Sequence, residues 1–191
     1  MDADNCLSSA LARPLLILDL DETLVLTVEK PLDRPADFRL KDYHVYFRPH
    51  LKSFLNRVQA VYDVAVWSAG GSGYVEPTVA HLFQELAAPV FVWSYRRCTR
   101  KFDHESHEEY FIKDLKKVYK KGFPRERMLI VDDLERNCLR NYGSAVYVRA
   151  FDGSLGDDEL LQLAAYLEAL APEPNFRTVE KRYWRKRASH V

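Results

Sequence analysis

Leu15-Leu16-Ile17-Leu18-Asp19-Leu20-Asp21-Glu22-Thr23 is the stretch whose reading decides the fold. Four consecutive apolar residues without alternation predict a short strand covered on both faces, the pattern of a parallel sheet inside an α/β domain. The abrupt change to Asp19 and Asp21 puts two carboxylates at the carboxyl end of that strand, where open α/β sheets bind their ligands. Residues two apart on extended backbone share a face, so both acids can reach one substrate.

Similar runs follow. Tyr62–Trp67, Val90–Trp93, Met128–Val131 and Ala145–Val148 read as further strands, and the first and third of these end in Ser68 and in Asp132-Asp133. Helical spacing fills the intervals. Leu51, Phe54, Leu55 and Val58 mark one helix, Val75 to Leu86 a second with Pro77 in its first turn, and Asp114–Tyr119 and Glu135–Asn141 shorter ones. Asp157–Leu170 is the clearest, with Leu160, Leu163, Ala164 and Leu167 on one face and Pro172 stopping it. Strands alternating with helices predict an α/β fold with a mostly parallel central sheet. Leu24 to Arg48 breaks the alternation, and Tyr43–Phe47 within it reads as a strand, so a flap or hairpin is expected there.

With 191 residues, 47% hydrophobic and 13% aromatic, the chain can build one well-filled domain. We place that domain at 14–171, after an N-terminal extension of 1–13 and before a tail of 172–191. The net charge is zero, with 28 Lys+Arg against 28 Asp+Glu, which argues against direct nucleic-acid binding. The total conceals a division. The last fifteen residues hold Arg177, Lys181, Arg182, Arg185, Lys186 and Arg187 against Glu180 alone, a net +5, so the remainder carries −5. The tail is either a terminal extension docked through Tyr183 and Trp184 or a docking arm for an acidic partner. Cys6, Cys98 and Cys138 are too few and too irregular for a disulfide framework. The first residues lack the basic and apolar regions of a signal peptide, and no run is long enough for a membrane span. A cytoplasmic setting, or a nuclear one in a eukaryote, is expected.

The polar groups that end the strands carry the chemistry: Asp19, Asp21, Ser68, Asp132 and Asp133, with Lys113 just ahead of the Met128–Val131 strand. Carboxylates this close repel unless they take up protons or a cation. Mg²⁺ suits a few carboxylates together with phosphate oxygens. Lys113 and Ser68 suit the phosphate itself. Other readings fare worse. Gly70-Gly71-Ser72-Gly73 lacks a nucleotide-loop pattern and reads as a flexible turn. His104 and His107 have no zinc-site partners and read as a solvated loop. A cysteine phosphatase needs Arg six residues after its Cys, and those positions are Ala12, His104 and Ser144. In a receiver domain the acidic pair precedes the phosphorylated Asp, the reverse of the order here.

Asp19-Leu20-Asp21-Glu22-Thr23, Ser68, Lys113 and Asp132-Asp133, in this order, resemble the four motifs of the haloacid dehalogenase superfamily. Phe47-Arg48-Pro49-His50, Trp67-Ser68-Ala69-Gly70, Ile112-Lys113-Asp114-Leu115 and Ile130-Val131-Asp132-Asp133 are similar to its branch of RNA polymerase II C-terminal-domain phosphatases. So is Phe151-Asp152-Gly153 leading into Asp158-Glu159-Leu160. Ser68 stands where that branch usually has Thr, Gly70 where Ser is common, and Asp133-Leu134-Glu135 where other triplets are typical.

The resemblance implies a Rossmann-like fold and a Mg²⁺-dependent phosphatase. In it Asp19 is the nucleophile and Asp21 the general acid and base. Thr23, Ser68, Lys113 and Arg96 surround the phosphate, and Thr23 also helps position Asp21. Asp19, Asp21, Asp132 and Asp133 make up the metal site. The intervals from Asp21 to Ser68 and from Ser68 to Lys113 must also hold core elements. They leave room for a flap and an extended loop but not for a large cap domain. An open site favours a phosphorylated protein or peptide, with phosphoserine or phosphothreonine ahead of phosphotyrosine or a small metabolite. A binding module without catalysis is the contrasting possibility, since that branch contains such proteins, typically without the two acids retained here.

Overall fold

The computed structural model describes residues 13–105, 107–141 and 143–188; Cys6 and most of the 1–13 extension lie outside them. Five parallel strands form the central sheet: β1 (Leu15–Leu18), β5 (Asp63–Trp67), β6 (Val92–Trp93), β9 (Met128–Asp132) and β10 (Ala145–Tyr147). Three more strands, β2 (Val25–Val28), β3 (Phe38–Leu40) and β4 (Tyr43–Phe47), follow β1 in sequence, and β7 (Thr99–Asp103) and β8 (Glu108–Ile112) follow β6. The helices are α1 (Leu51–Val61), α2 (Ser72–Leu82), α3 (Lys116–Tyr119), α4 (Glu159–Leu170) and α5 (Trp184–Ala188).

The order of the central sheet is β10-β9-β1-β5-β6. β1 lies in the middle, with Leu18 paired to Val66 on one side and Val131 on the other. Its four residues are at most 1% exposed, as an uninterrupted apolar run in a central parallel strand should be. Alternation divides the core into two layers. Leu16, Leu18, Val64, Val66, Leu129 and Val131 pack beneath α1, α2 and α4. Leu15, Ile17, Ala65, Trp67, Met128 and Ile130 pack against Trp93, α3 residues and Cys138 on the other face. Five strand ends therefore share one rim.

The stretch from Leu24 to Arg48 is more than a hairpin. It forms a three-stranded antiparallel sheet, β2-β4-β3, stacked onto α2 through Phe38 and His81, whose ring centroids are 4.1 Å apart. Gly153 supports it from below: its φ is +94°, and an added Cβ would lie 2.7 Å from Leu32 Cδ1.

Several expectations are corrected. His104 and His107 do lie in an exposed turn, with both rings near Phe102, but paired strands flank that turn and make it the end of the β7–β8 hairpin. Half of its strand residues are charged and most are exposed, so no apolar alternation betrays them. α2 begins at Ser72, earlier than expected. Part of the glycine-rich stretch is its first turn, and Pro77 sits inside the helix, where it removes one backbone donor. Val90 and Phe91 are not strand, α3 covers only Lys116–Tyr119, and Glu135–Cys138 is a 3-10 turn.

The end of the described chain packs onto the body. Phe176 and Trp184 are almost wholly buried, and Trp184 Nε1 donates to the Tyr147 carbonyl at 2.8 Å. Tyr183, the other anchor expected from sequence, is 60% exposed. No helix among the described residues is long and apolar enough to cross a membrane.

Candidate active site

The chain leaves β1 through Asp19, whose backbone N–H donates to Val131 O at 3.0 Å and so continues the parallel ladder by one residue. Leu20 then turns inward. Its carbonyl accepts from Thr23, Leu24 and Val25, and the turn closes with Glu22 in the left-handed region at φ 55°. A glutamate in this conformation is held from outside. Phe151 N donates to Glu22 O at 2.7 Å. The buried guanidinium of Arg48 donates to Thr23 O at 3.0 Å and to Glu22 O, while Asp157 receives its other face in a bidentate pair at 2.9 and 2.8 Å. Arg48 therefore clamps the loop that carries the acids, a role its place in the sequence did not disclose.

Lys113 arrives at the end of β8, fixed by Lys113 N to Asn137 O at 2.8 Å and by Asn141 Nδ2 to its own carbonyl at 2.6 Å. Its ammonium, with no exposed surface, donates to Asp19 Oδ1 and, at 2.7 Å, to Asp132 Oδ2. Asp132 Oδ1 accepts from Leu134 N and Asn137 Nδ2, both at 3.0 Å. Both oxygens of Asp132 are thus engaged by the protein. Thr23 Oγ1 lies 3.4 Å from Asp19 Oδ2 and 3.3 Å from Asp133 Oδ1. Asp21 is held on the other side: Ser68 Oγ donates to Oδ2 at 3.3 Å and Tyr74 OH to Oδ1 at 2.5 Å. Tyr74 comes from the first turn of α2. No sequence argument singled it out, because an aromatic on a helix face ordinarily reads as core.

Of the residues expected at the site, Asp19, Thr23, Lys113, Asp132 and Asp133 are linked by these contacts, and Asp21 and Ser68 form a second group held by Tyr74. Arg96 is not; it lies exposed in a 3-10 turn and makes no hydrogen bond or ion pair among the described residues. That turn is nonetheless tied to the Ser68 loop, since Tyr95 N donates to Gly70 O at 2.9 Å.

The electrostatics follow from one ammonium among several carboxylates. Burial pushes the Asp19 carboxyl well above its usual range against the attraction of Lys113, and Asp132 and Asp21 push it the same way. Burial also raises Asp21, against its hydrogen bonds from Tyr74 and Ser68. Asp133 is raised to about 6, by burial and then by Asp132. Burial alone would favour the neutral amine of Lys113, but Asp19 and Asp132 outweigh it and hold the ammonium above the ordinary lysine range. The Tyr74 phenol is pushed up, first by burial and then by the Asp21 charge, so it stays a donor.

Such a cluster favours a bound proton or a cation. Asp19, Asp132 and Asp133 each offer an oxygen within 4.8 Å of the others. Because Asp132 is occupied by Lys113, Leu134 and Asn137, its part is to fix Lys113, and Asp19 and Asp133 are the better direct ligands. The Asp21 carbonyl, which accepts no hydrogen bond among the described residues, is a third oxygen of the right hardness. The donor set is all oxygen and fits Mg²⁺.

Comparison with known proteins agrees with this geometry. The chain is 29% identical over 168 residues to the human CTD small phosphatase-like protein, covering 83% of this chain and 56% of that one. It is 27% identical over 164 residues to human carboxy-terminal domain RNA polymerase II polypeptide A small phosphatase 1, covering 82% and 59%. An uncharacterised fission yeast protein is 28% identical over 172 residues, covering 86% and 50%. The chain thus spans about half the length of the curated relatives it matches. Among solved structures, fission yeast RNA polymerase II CTD phosphatase Fcp1 bound to beryllium fluoride shares the fold. Its TM-score is 0.57 at 16% identity, covering 93% of this chain and 62% of that one. The family model of NLI interacting factor-like phosphatases matches residues 14–177, and the chain belongs to that family.

Proposed function

We propose that this chain hydrolyses phosphomonoesters through an aspartyl-phosphate on Asp19, with Mg²⁺ as cofactor and phosphoserine or phosphothreonine of a protein as substrate. The observation that carries the reading is the shared Lys113 ammonium: it holds Asp19 in place beside Asp133 while Asp21 stands apart on its own hydrogen bonds. A nucleophile and a proton donor need such separate environments.

Asp19 Oδ2, the oxygen Lys113 does not occupy, attacks phosphorus as the ester P–O bond breaks. Asp21 gives its proton to the departing alkoxide oxygen. Water then attacks the acyl phosphate, Asp21 takes its proton, and Asp19 is released as a carboxylate with inorganic phosphate. Ser68 and Lys113 hold phosphate oxygens, Thr23 keeps Asp19 and Asp133 in register, and Arg96 is a further contact at the rim. Asp19, Asp133 and the Asp21 carbonyl, with Asp132 beside them, would hold Mg²⁺, which when bound would supply positive charge against that of the transferring group.

The choice of a protein substrate rests on what is inserted between the motifs. Between the motifs, beyond the core elements α1, β5, α2 and β6, the described residues add the β2-β4-β3 sheet and the β7–β8 hairpin, with no folded cap domain among them. The test is Mg²⁺-dependent turnover of phosphopeptides against sugar phosphates and nucleotides, with Asp19→Asn as control. Preference for phosphopeptides, lost in the variant, supports the reading. Equal turnover of the small phosphates removes the protein substrate, and activity unaffected by Asp19→Asn removes the mechanism.

A further inference from the structure

Asp21 sits on a loop, only half-buried, yet both its oxygens are tied down. One tie, Ser68, is divided, because Ser68 Oγ also accepts from Gly70 N at 2.8 Å. The other, Tyr74, has a defined direction. A tyrosine hydroxyl carries one proton, and the short contact to a carboxylate takes it. Its remaining partner, Thr27 Oγ1 on β2, lies 2.8 Å away and must then be the donor. The chain runs from the Thr27 hydroxyl to the Tyr74 hydroxyl to Asp21, joining β2, α2 and the loop after β1. The ring is also wedged. A Cβ on Gly70 would stand 2.9 Å from Tyr74 Cδ1, so the glycine at this position lets the ring lie against the Ser68-Ala69-Gly70 turn.

A group that protonates a leaving oxygen works only when the correct carboxyl oxygen faces it, and small misplacements are costly. We propose that Tyr74, backed by Thr27, is a positioning residue that fixes the Asp21 carboxyl toward the leaving group and links its orientation to the β2-β4-β3 sheet. This rests on the reading of Asp21 as the general acid. It predicts more than an importance of Tyr74 for activity: the need for Tyr74 depends on how much protonation the leaving group requires. A nitrophenolate departs almost unaided, whereas a serine or threonine alkoxide needs its proton.

The experiment measures kcat/KM, which reports the steps through the first phosphoryl transfer, with Mg²⁺ for a series of aryl phosphates of graded leaving-group basicity and for a phosphoserine peptide. The variants are Tyr74→Phe, which keeps the ring, Thr27→Val, Asp21→Asn, and Tyr74→Phe combined with Asp21→Asn. Tyr74→Phe is expected to lower kcat/KM on the phosphopeptide by about 10- to 100-fold, part of what a general acid supplies, and on nitrophenyl phosphate by only about threefold. Thr27→Val is expected to shift the same way by less. In the Asp21→Asn background, Tyr74→Phe should cost nothing further, since the amide that Tyr74 then orients has no proton to give the leaving group. An equal loss on every substrate, an effect confined to KM, or an undiminished loss in the Asp21→Asn background overturns the positioning role and leaves the proposed mechanism standing. Should Tyr74→Phe fail to fold, a Thr27→Val profile identical to that of the unsubstituted protein overturns it as well. If Asp21→Asn itself leaves the leaving-group dependence unchanged, Asp21 is not the acid, and both readings fall.

Discussion

Lys113 is the residue on which the site turns. Its ammonium is buried between Asp19 and Asp132, and removing one partner of a buried ionic cluster leaves uncompensated charge. Lys113→Met is expected to abolish turnover and to cost about 3–5 kcal/mol in denaturant unfolding near neutral pH. The cost should shrink at acid pH, where the carboxyls become neutral. Asp133 offers a separate pH test. Its carboxyl is raised to about 6 in the folded protein, above an unfolded value near 3.8. The folded state therefore binds the extra proton, and stability without metal should fall as pH rises from about 4 through about 6, with no further change above. Mg²⁺ bound at Asp133, as proposed, would have to displace that proton. Its affinity should weaken below about pH 6, with proton release visible as a buffer-dependent heat in calorimetry. Asp133→Asn should remove both effects. The motif acids, Ser68 and Lys113 were legible in the sequence because each ends or precedes a strand with an obvious apolar run. Tyr74 and Asn137 were not, because their partners Asp21 and Asp132 lie 53 and 5 residues away on other elements, and only the fold brings them together.

Arg48 shows the same limit at the scale of an element. It follows β4, yet it holds the loop after β1 to Asp157 at the entrance to α4. Arg48→Met is expected to destabilise by about 3 kcal/mol, since Asp157 loses its charged partner and Thr23 O its donor, and to lower kcat through the loosened acid loop. Lys at this position cannot make the bidentate pair and should restore little. Thermal melts alongside kinetics would separate the two effects. The strands of the central sheet were readable from composition alone, because burial on both faces demands uninterrupted Val, Ile and Leu. The β7–β8 ribbon carries no such demand. Thr99-Arg100-Lys101-Phe102-Asp103 is held by ladder bonds and by the Arg100–Glu109 pair, in a sequence that reads as loop. Since the residues next to the ribbon's tip are exposed, replacing that tip with a short turn should leave hydrolysis of nitrophenyl phosphate within about twofold, as surface changes usually do. Phosphopeptide KM should change. Parallel losses on both substrates would mean that the ribbon holds Lys113 in place.

At the scale of the whole molecule, the zero net charge separates into an acidic body and a basic tail, and the tail turns out to be built in. Trp184 lies against Tyr166 with ring centroids 5.7 Å apart, and Arg185 pairs with Glu159, which also accepts from Arg149 N at 2.9 Å. A freely acting docking arm would place its aromatics in solvent. Truncation after Glu173 would strip Phe176 and Trp184 from the main core. It is therefore expected to lower stability, and Trp184→Ala alone should cost about 3–5 kcal/mol. Activity on small aryl phosphates should suffer with it, unlike the loss confined to protein substrates that a docking arm predicts. The sequence did point to the Trp184 contact, but the charge of the surrounding residues favoured the arm equally, because composition cannot show which aromatic finds a cavity.

All of this depends on one covalent event at Asp19, and trapping it is the most direct measurement. The Asp21→Asn protein, incubated with Mg²⁺ and an aryl phosphate, quenched in acid, reduced with borohydride and mapped by mass spectrometry, should show homoserine at residue 19 and nowhere else. The signal should depend on both substrate and Mg²⁺. Substrate turnover without modification at residue 19, or modification at another residue, would contradict the account.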